Sequence, residues 1–304
     1  MEKYNKSADE FIDVDGVKIA CFKSEASTNS DRKVIEDFGE EWTKFGAFSE
    51  EELQIFGDSY FSLLQSTDLP SDSRALDVGC GTGRWAYIAS SRVGFIEAID
   101  PSKAVVSATK LLKDHKNVRI TQCELDDIPF PEESFDLVYS LGVLHHIPDT
   151  FKAMKKASSF VKPGGYLLLY LYYALDNRGI LYKSLFWISN IFRVIISALP
   201  KGIKKFICDL IAVFVYLPFI LLTKLFIKIS PNSTYWRAIP LSTYAEYNSS
   251  FNIIRNDSLD RFGTSLEQRF SQKEIKELYE KLGYKDIVFS PSAPYWVSIA
   301  KKLK

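Results

Sequence analysis

Ala75-Leu76-Asp77-Val78-Gly79-Cys80-Gly81-Thr82-Gly83-Arg84-Trp85 is the stretch whose reading decides the fold. Residues 75–78 are apolar apart from Asp77 and predict a short buried strand. Three glycines follow at once, and residues 84–91 predict a helix. Strand, glycine turn and helix together bring a backbone close to a ligand, because a Cβ would block the approach and forbid some dihedrals. The spacing is Gly79-x-Gly81-x-Gly83, with an acid two residues before the first glycine, whereas a dinucleotide fingerprint reads Gly-x-Gly-x-x-Gly. A pyrophosphate wants helix-terminal amides and no carboxylate nearby. A carboxylate at the strand end suits a ligand with a positive amino group. The bland alternative is a tight strand–helix turn with no ligand.

The 304 residues suit one large domain or one domain with a sizeable insertion. Apolar residues make up 46%, enough for a full core, and 38 basic residues balance 38 acidic ones, so the global charge points to no partner. The segment after Met1 is charged, with no apolar stretch of signal-peptide length. Cys21, Cys80, Cys123 and Cys208 lack Cys-x-x-Cys spacing. No disulfide framework and no metal site is therefore expected, and the reducing cytoplasm is the expected compartment.

Residues 1–72 are expected to form an N-terminal hairpin, a linker and an aromatic helical cap. Asp15-Gly16 between apolar flanks predicts a hairpin over 11–22, and the polar run 24–33 a linker. From 34 to 64 the pattern turns helical and aromatic, with Phe38, Trp42, Phe45, Phe48, Phe56, Tyr60 and Phe61. From Ser73 on, strands (75–78, 95–99, 118–122, 135–140, 166–172) alternate with helices (84–91, 102–114, 150–160). That alternation argues a parallel sheet covered on both faces, with ligands at the carboxyl ends of its strands near the switch point. It stops after Tyr172 and resumes with a helix over 271–282 and strands over 285–289 and 295–301. The expected organisation is a core at 73–172, an insertion at 173–270 and completion of the core at 271–304.

Asp77-x-Gly79-x-Gly81-x-Gly83 resembles motif I of the class I S-adenosylmethionine-dependent methyltransferases. Residues 134–149, Ser-Phe-Asp-Leu-Val-Tyr-Ser-Leu-Gly-Val-Leu-His-His-Ile-Pro-Asp, resemble the fourth-strand motif of that family. Residues 161–168, Val-Lys-Pro-Gly-Gly-Tyr-Leu-Leu, resemble the lead into its fifth strand. The resemblance spans 73–172 and returns at 271–301. It implies an α/β fold with a Rossmann-like, doubly wound, seven-stranded methyltransferase sheet, here with a large helical insertion before the last helix and two strands. It implies S-adenosylmethionine as cofactor and no metal.

Carried onto this chain, the resemblance places Asp77, Gly79, Gly81 and Gly83 in the first cofactor loop. Asp100, 19 residues after Gly81, suits the ribose hydroxyls, with capping of the helix after Pro101-Ser102 as its alternative role. Residues 123–130 resemble the segment that frames the adenine. Counting back from Pro129-Phe130, the adenine acid falls on Glu124, beside Leu125, where Asp is usual, and Asp126 competes for the role. Ser140 completes the cofactor set. His145, after the fourth strand, is the candidate general base near pH 7. His146, Tyr172, Tyr173 and Arg178 are the candidate acceptor contacts. The histidine pair could instead shape the site without proton transfer. The Asn-Pro-Pro-Tyr motif of amine-directed DNA methyltransferases is absent, which argues against nucleobase amines.

In the insertion, Leu181, Leu185, Ile188, Phe192, Ile195 and Leu199 recur at helical spacing. Pro200 ends that helix, and Lys201, Lys204 and Lys205 open the next. Residues 210–223 carry no charge but are interrupted by Pro218 and bounded by Asp209 and Lys224, a run shorter than the roughly 20 residues a membrane span needs. Residues 178–230 hold eight Lys or Arg and one acid, a net +7 in a chain whose total is 0. Basic, apolar helices of this kind lie in a membrane interface or pack as an acceptor lid with solvated lysines. Nucleic acid is not expected, because these helices are too apolar to track phosphates. The flanks, 171–178 and 260–270, make the insertion resemble bacterial methyltransferases associated with surface polysaccharide synthesis, which implies a sugar acceptor.

The expected function is an S-adenosylmethionine-dependent methyltransferase acting on a small-molecule or lipid-linked acceptor, by O-methylation of a sugar or related hydroxyl. The expected place is the cytoplasm, with peripheral attachment at the inner face of the membrane. A C-methyltransferase on a quinone or lipid ring is the alternative enzyme. A non-catalytic cofactor-fold protein that binds a membrane or partner is the alternative of another class.

Overall fold

The computed structural model describes residues 3–23, 29–36, 39, 50–246 and 249–303. They form two compact units, Met1–Asp176 with Leu266–Lys304, and Asn177–Ser265. Of the aromatic segment, Phe38, Trp42, Phe45, Phe48 and the side chain of Phe56 lie outside the described residues.

The first unit is built on one sheet. Strands β1 (Glu10–Val14), β2 (Val17–Cys21), β3 (Arg74–Val78), β4 (Phe95–Asp100), β5 (Val118–Gln122), β6 (Phe135–Leu141), β7 (Val161–Tyr170), β8 (Tyr284–Phe289) and β9 (Val297–Lys302) lie in the order β1-β2-β5-β4-β3-β6-β7-β9-β8. Strands β5, β4, β3, β6 and β7 are parallel neighbours, and β9 is antiparallel to both β7 and β8. Chain direction across the sheet reverses at β3, so the fold is doubly wound and its crevice opens beyond the carboxyl ends of β3 and β6. Helices α1 (Glu50–Phe61), α2 (Arg84–Ala89), α3 (Ala104–Leu111) and α4 (Thr150–Ser159) and a last helix, Gln272–Lys281, belong to this unit. Leu76, Ile96, Val138 and Leu168 are fully buried, as strands covered on both faces require.

Three features differ from the sequence reading. The sheet has nine strands, because the hairpin β1–β2 does not stand alone. Ala20 and Cys21 pair in parallel with Thr121 and Gln122. The pairing covers what would be an open edge of β5, a row of unsatisfied backbone groups. Strand β7 starts at Val161 and ends at Tyr170, leaving Tyr172 and Tyr173 beyond it. Helix α3 spans only Ala104–Leu111, because Asp100 and Ser102 take up the amides before it.

One buried ion cluster ties three adjacent strands. Glu97, on β4, is fully buried. It accepts from Arg74 Nη2 of β3 (2.9 Å) and from Arg119 Nε and Nη2 of β5 (2.7 and 2.6 Å). The guanidinium groups are covered by rings, Arg74 by Phe135 at 4.4 Å and Arg119 by Tyr4 at 4.3 Å. Two bonded cations offset the desolvation of one carboxylate, which neither could do alone.

The second unit is helical: α5 (Ile180–Ser197), α6 (Lys201–Ile211), a π turn (Ala212–Tyr216), α7 (Leu217–Ile229), α8 (Ser242–Glu246) and α9 (Phe251–Gly263). Its core holds Ile196, Cys208, Ala212, Tyr216, Ile220 and Phe262. Pro218 does not interrupt the helix, contrary to the sequence reading. It falls in the first turn of α7, just after the π turn, where the ordinary i to i−4 ladder has already lapsed and a missing N–H costs least. Lys201–Ile229 is therefore one helix of 29 residues with a window of mean hydropathy 2.4, long and apolar enough to cross a membrane by length and composition. Lys204 also departs from expectation, since it is buried rather than solvated.

Glu97→Ala should leave two arginines in the sheet without their anion and cost about 3–5 kcal/mol of stability. Urea unfolding followed by circular dichroism measures this. An unchanged midpoint would show that the cluster contributes nothing net.

Candidate functional site

The site is built where β3 gives way to the glycine loop. Gly79, Gly81 and Gly83 have φ of +78°, +53° and +82°. These values belong to the left-handed region that only glycine enters freely. A Cβ on Gly79 would lie 2.6 Å from Val143 Cγ1, and one on Gly83 would lie 2.7 Å from Leu112 Cδ1. Those two glycines serve packing as well as the turn. A Cβ on Gly81 would meet nothing within 4 Å. Open space beside the middle glycine is what a loop cradling a ligand presents.

Asp77 closes β3 on the inside of this loop. Its carboxyl is fully buried, and neither oxygen has a hydrogen-bond partner of good geometry. Burial pushes it well above the usual carboxylate range; the Asp100 charge adds to this, while the Tyr139 hydroxyl and the Arg84 cation oppose it. A buried carboxyl without a partner is costly, and a cationic ligand group relieves the cost. Thr82 Oγ1, in the same loop, is also buried without a partner.

Asp100 ends β4 and reaches back to the loop. Its Oδ2 accepts from Gly81 N (2.9 Å), and its Oδ1 accepts from Ser102 N (2.8 Å) and Ser102 Oγ (2.6 Å). The carboxylate thus closes the turn at Ser102 ahead of α3, whose N-cap is Lys103 with no side-chain bond, and it also holds the glycine loop. Burial pushes its carboxyl up, against the opposing hydrogen bonds from Ser102 and Gly81. Oδ2 accepts only one of these bonds and keeps a lone pair for a ligand hydroxyl.

After β5, Glu124 precedes a short 3₁₀ turn, Leu125–Asp127, and its Oε2 is buried without a partner. Leu125 is half-buried, whereas the competing Asp126 is exposed. Of the two acids, only Glu124 presents an unsatisfied oxygen to a buried surrounding. Ser140 is fully buried, and its hydroxyl donates to the Val78 carbonyl at 2.8 Å. The bond ties β6 to the end of β3 and uses the hydroxyl's one proton, leaving its oxygen only as an acceptor.

Beyond β6, His145 and His146 occupy a 3₁₀ turn, Leu144–His146. His145 is fully buried, neither ring nitrogen has a partner, and its ring stacks on Tyr172 with centroids 3.9 Å apart. Burial drives its imidazole well below the ordinary histidine range, with His146 and Arg269 pushing the same way, so it is neutral at physiological pH. His146 Nδ1 donates to the Leu266 carbonyl (2.7 Å). Tyr172 continues an aromatic wall through Tyr170 (5.8 Å) and Tyr60 (5.1 Å) to Trp85 (4.5 Å). Tyr173 turns instead to Tyr295 and Trp296 and bridges to Phe270. Arg178 belongs to the helical unit, where its guanidinium lies over Tyr182.

The segment after Leu266, which the sequence marks only as a flank of the insertion, takes part in the site. Gln268 N donates to the His145 carbonyl (3.0 Å), and Gln268 Nε2 donates to the Ile147 carbonyl (2.7 Å). Arg269 lies over the Tyr172 ring at 5.2 Å and donates to Glu267 Oε1 (2.6 Å). Adjacent opposite charges in Glu267-Gln268-Arg269 were the only signal available. The buried Cys80 and Cys123 thiols are pushed up by burial and offer no nucleophile. Among the described residues no cluster of His, Cys, Asp or Glu could hold a metal ion.

Comparison with known proteins agrees with this geometry. Residues 76–169 match the family described as methyltransferase domain. YcgJ of Bacillus subtilis, an uncharacterized methyltransferase, is 28% identical over 133 residues, covering 43% of this chain and 53% of that protein. Demethylmenaquinone methyltransferase of Bacillus licheniformis is 32% identical over 106 residues, covering 34% of this chain and 46% of the enzyme. The 27-O-demethylrifamycin SV methyltransferase of Amycolatopsis mediterranei is 30% identical over 112 residues, covering 33% and 39%. The chain thus spans about half the length of the curated relatives it matches. The solved structure of YcgJ superposes with a TM-score of 0.42 at 17% identity, covering 81% of this chain and 98% of that one. The match to a methyltransferase domain over residues 76–169 falls on the strands β3 to β7 that carry the glycine loop, Asp100, Glu124 and the histidine turn.

Proposed function

We propose that this protein transfers a methyl group from S-adenosylmethionine to a hydroxyl of a small-molecule or lipid-linked acceptor, a sugar or a related alcohol. The observation that carries the reading is the buried, unpartnered Asp77 carboxyl beside the open space at Gly81. Asp77 would hold the ligand's amino group, the Gly79–Gly83 loop its backbone-facing part, Asp100 the ribose and Glu124 the adenine amine. Bound there, the cofactor supplies a methyl on a sulfonium, an electrophile that needs no metal and no covalent enzyme intermediate.

The chain's own task is to orient the acceptor, exclude water and take a proton. A hydroxyl must shed its proton on methylation. His145 is the group placed for this, because both ring nitrogens are without partners and the imidazole is already neutral. Its depressed basicity is tolerable, since the proton of an alkylated hydroxyl is far more acidic than an imidazolium. The Tyr172 stack and the Gln268 bond to the His145 backbone fix its position. The flanks of the helical unit support a saccharide acceptor, and the cytoplasm, at the inner membrane face, is the place proposed for it. A carbon acceptor on a quinone ring is the second reading, favoured by the demethylmenaquinone relatives. It also releases one proton, from the ring carbon, but the return of aromaticity lets water take it, so His145 is not required. Release of S-adenosylhomocysteine with extracted lipids or glycans, together with a mass gain of one CH₂ on one component, tests methyl transfer. No release with any extract would favour a non-catalytic cofactor-binding protein.

Two outcomes follow for variants. Gly81→Val should fold, at a cost of about 1–2 kcal/mol for its left-handed backbone, yet lose S-adenosylmethionine binding by calorimetry. Gly79→Val and Gly83→Val should fail at the folding stage, because Val143 and Leu112 are in the way. Wild-type affinity in Gly81→Val would remove the loop from the site.

For the base, His145→Gln should lower turnover by roughly 10²–10⁴ while leaving cofactor affinity nearly intact. Because burial depresses the His145 pKa, the imidazole is in its base form through the ordinary histidine range, and wild-type turnover should be flat across that range and fall only at more acid pH. An unchanged rate in the variant would assign the histidine to packing and favour the carbon acceptor.

A further inference from the structure

The helical unit, Asn177–Ser265, keeps a small apolar core but inverts the usual polarity on much of its surface. Several of its polar groups pair with one another within the unit. Arg255 grips Asp209 with two bonds, Nε to Oδ1 at 2.9 Å and Nη2 to Oδ2 at 2.7 Å. The Tyr216 hydroxyl donates to Asp257 Oδ2 (3.1 Å), and the Ser258 hydroxyl donates to the Cys208 carbonyl (2.8 Å). Lys204, Asn256 and Thr223 are buried. The large apolar side chains face outward. Phe206, Phe214, Leu221 and Ile229, along α6 and α7, are between 62% and 71% exposed, and Trp187 on α5 is 66% exposed. A water-soluble helical unit of this size does the reverse, and an apolar face this long marks an interaction surface.

We infer that this face is embedded in an anionic lipid bilayer, lying in its plane without crossing it. Charge selects the occupant. The unit carries a net +7, counted from eleven Lys or Arg and four acids. Two copies face to face would repel, whereas an anionic leaflet attracts each basic residue near its surface. Exposed Lys183, Lys201, Lys224 and Lys228 flank the apolar side chains, where long stems let the ammonium groups reach the headgroups.

Connectivity decides between lying and spanning. Both ends of the unit, Asn177 and Ser265, continue into the sheet-bearing unit, so the number of crossings is even. Among the described residues only Lys201–Ile229 is long and apolar enough to cross. The return helix α9 carries Arg255, Asp257, Asp260 and Arg261 and packs on α5 and α6. Those charges would be stranded in hydrocarbon if α6 and α7 crossed. The sequence reading placed the insertion at the surface because it saw no uninterrupted apolar helix. The structure contains one, and the inverted polarity argues that its outward side chains enter the acyl region. The inference stands independently of methyl transfer.

Vesicles of phosphatidylcholine with phosphatidylglycerol test it on the intact protein. Of the described tryptophans only Trp187 is exposed; Trp85, Trp236 and Trp296 are buried. Lipids brominated on the acyl chain should quench part of the wild-type tryptophan emission, and Trp187→Phe should abolish that part. High salt should weaken binding without removing the quenching, because the apolar contact is not screened. Phe206→Ser with Phe214→Ser should lower vesicle partition by about tenfold or more, with an unchanged melting profile showing that the fold is kept. Complete release by salt with no acyl-chain quenching would reduce the contact to headgroup attraction and overturn embedding. A stable dimer that ignores vesicles would assign the face to a second copy and overturn the inference outright.

Discussion

A carboxyl group that is fully buried and lacks a good hydrogen-bond partner, as Asp77 is, constrains everything near it. It cannot ionise cheaply where it stands, and Asp100 nearby makes ionisation harder still. The Tyr139 hydroxyl and the Arg84 charge oppose the effect of burial without offsetting it. The surrounding elements supply shape instead: a loop of left-handed glycines, an Asp100 clamp on the Gly81 amide and a Ser140 tie from β6 to the end of β3. Each holds the backbone in a form that leaves room beside Gly81. The sheet exists at the level of energetics to keep this loop in place, and the Glu97 cluster locks the three strands that carry it.

A site with an unsatisfied acid is preorganised for a cation in the sense that matters for binding. The desolvation penalty is met during folding, and the ligand recovers it. The same logic recurs at lower intensity around the crevice. Glu124 Oε2, Thr82 Oγ1 and both nitrogens of His145 are buried without partners. Buried polar groups are mostly satisfied in folded proteins, and these groups suit a polar ligand beside the glycine loop and the histidine turn. The aromatic wall from Trp85 to His145 supplies the apolar side of that crevice.

Local patterns made much of this legible in sequence. Gly79-x-Gly81-x-Gly83 after an apolar strand, and Asp100 at the end of the next strand, are short-range signals with short-range causes. The alternation of strands and helices fixed the parallel core for the same reason. Long-range partners were not legible. Glu97 reads as an oddity in an apolar strand until Arg74 and Arg119 are found on the neighbouring strands. The hairpin at Asp15-Gly16 is visible, but its pairing with β5 is not. Arg269, bonded to Glu267, reaches Tyr172 from almost a hundred residues downstream, across the insertion. Pro218 misled because its usual effect on a helix was cancelled by a π turn that no residue pattern announces. Lys204 misled because a lysine next to Lys205 looks solvated until its burial is seen.

Asp77 is a carboxyl that waits for a cation. Counting protons as S-adenosylmethionine binds tests this, using calorimetry at a series of pH values from the ordinary carboxylate range upward in buffers of different ionisation enthalpy. A carboxyl pushed up by burial holds its proton in the free protein and must lose it when a positive amino group arrives. Wild-type protein should therefore release a substantial fraction of one proton per ligand bound, and Asp77→Asn should release far less and bind more weakly. Equal affinity and equal proton release in the two proteins would contradict the account.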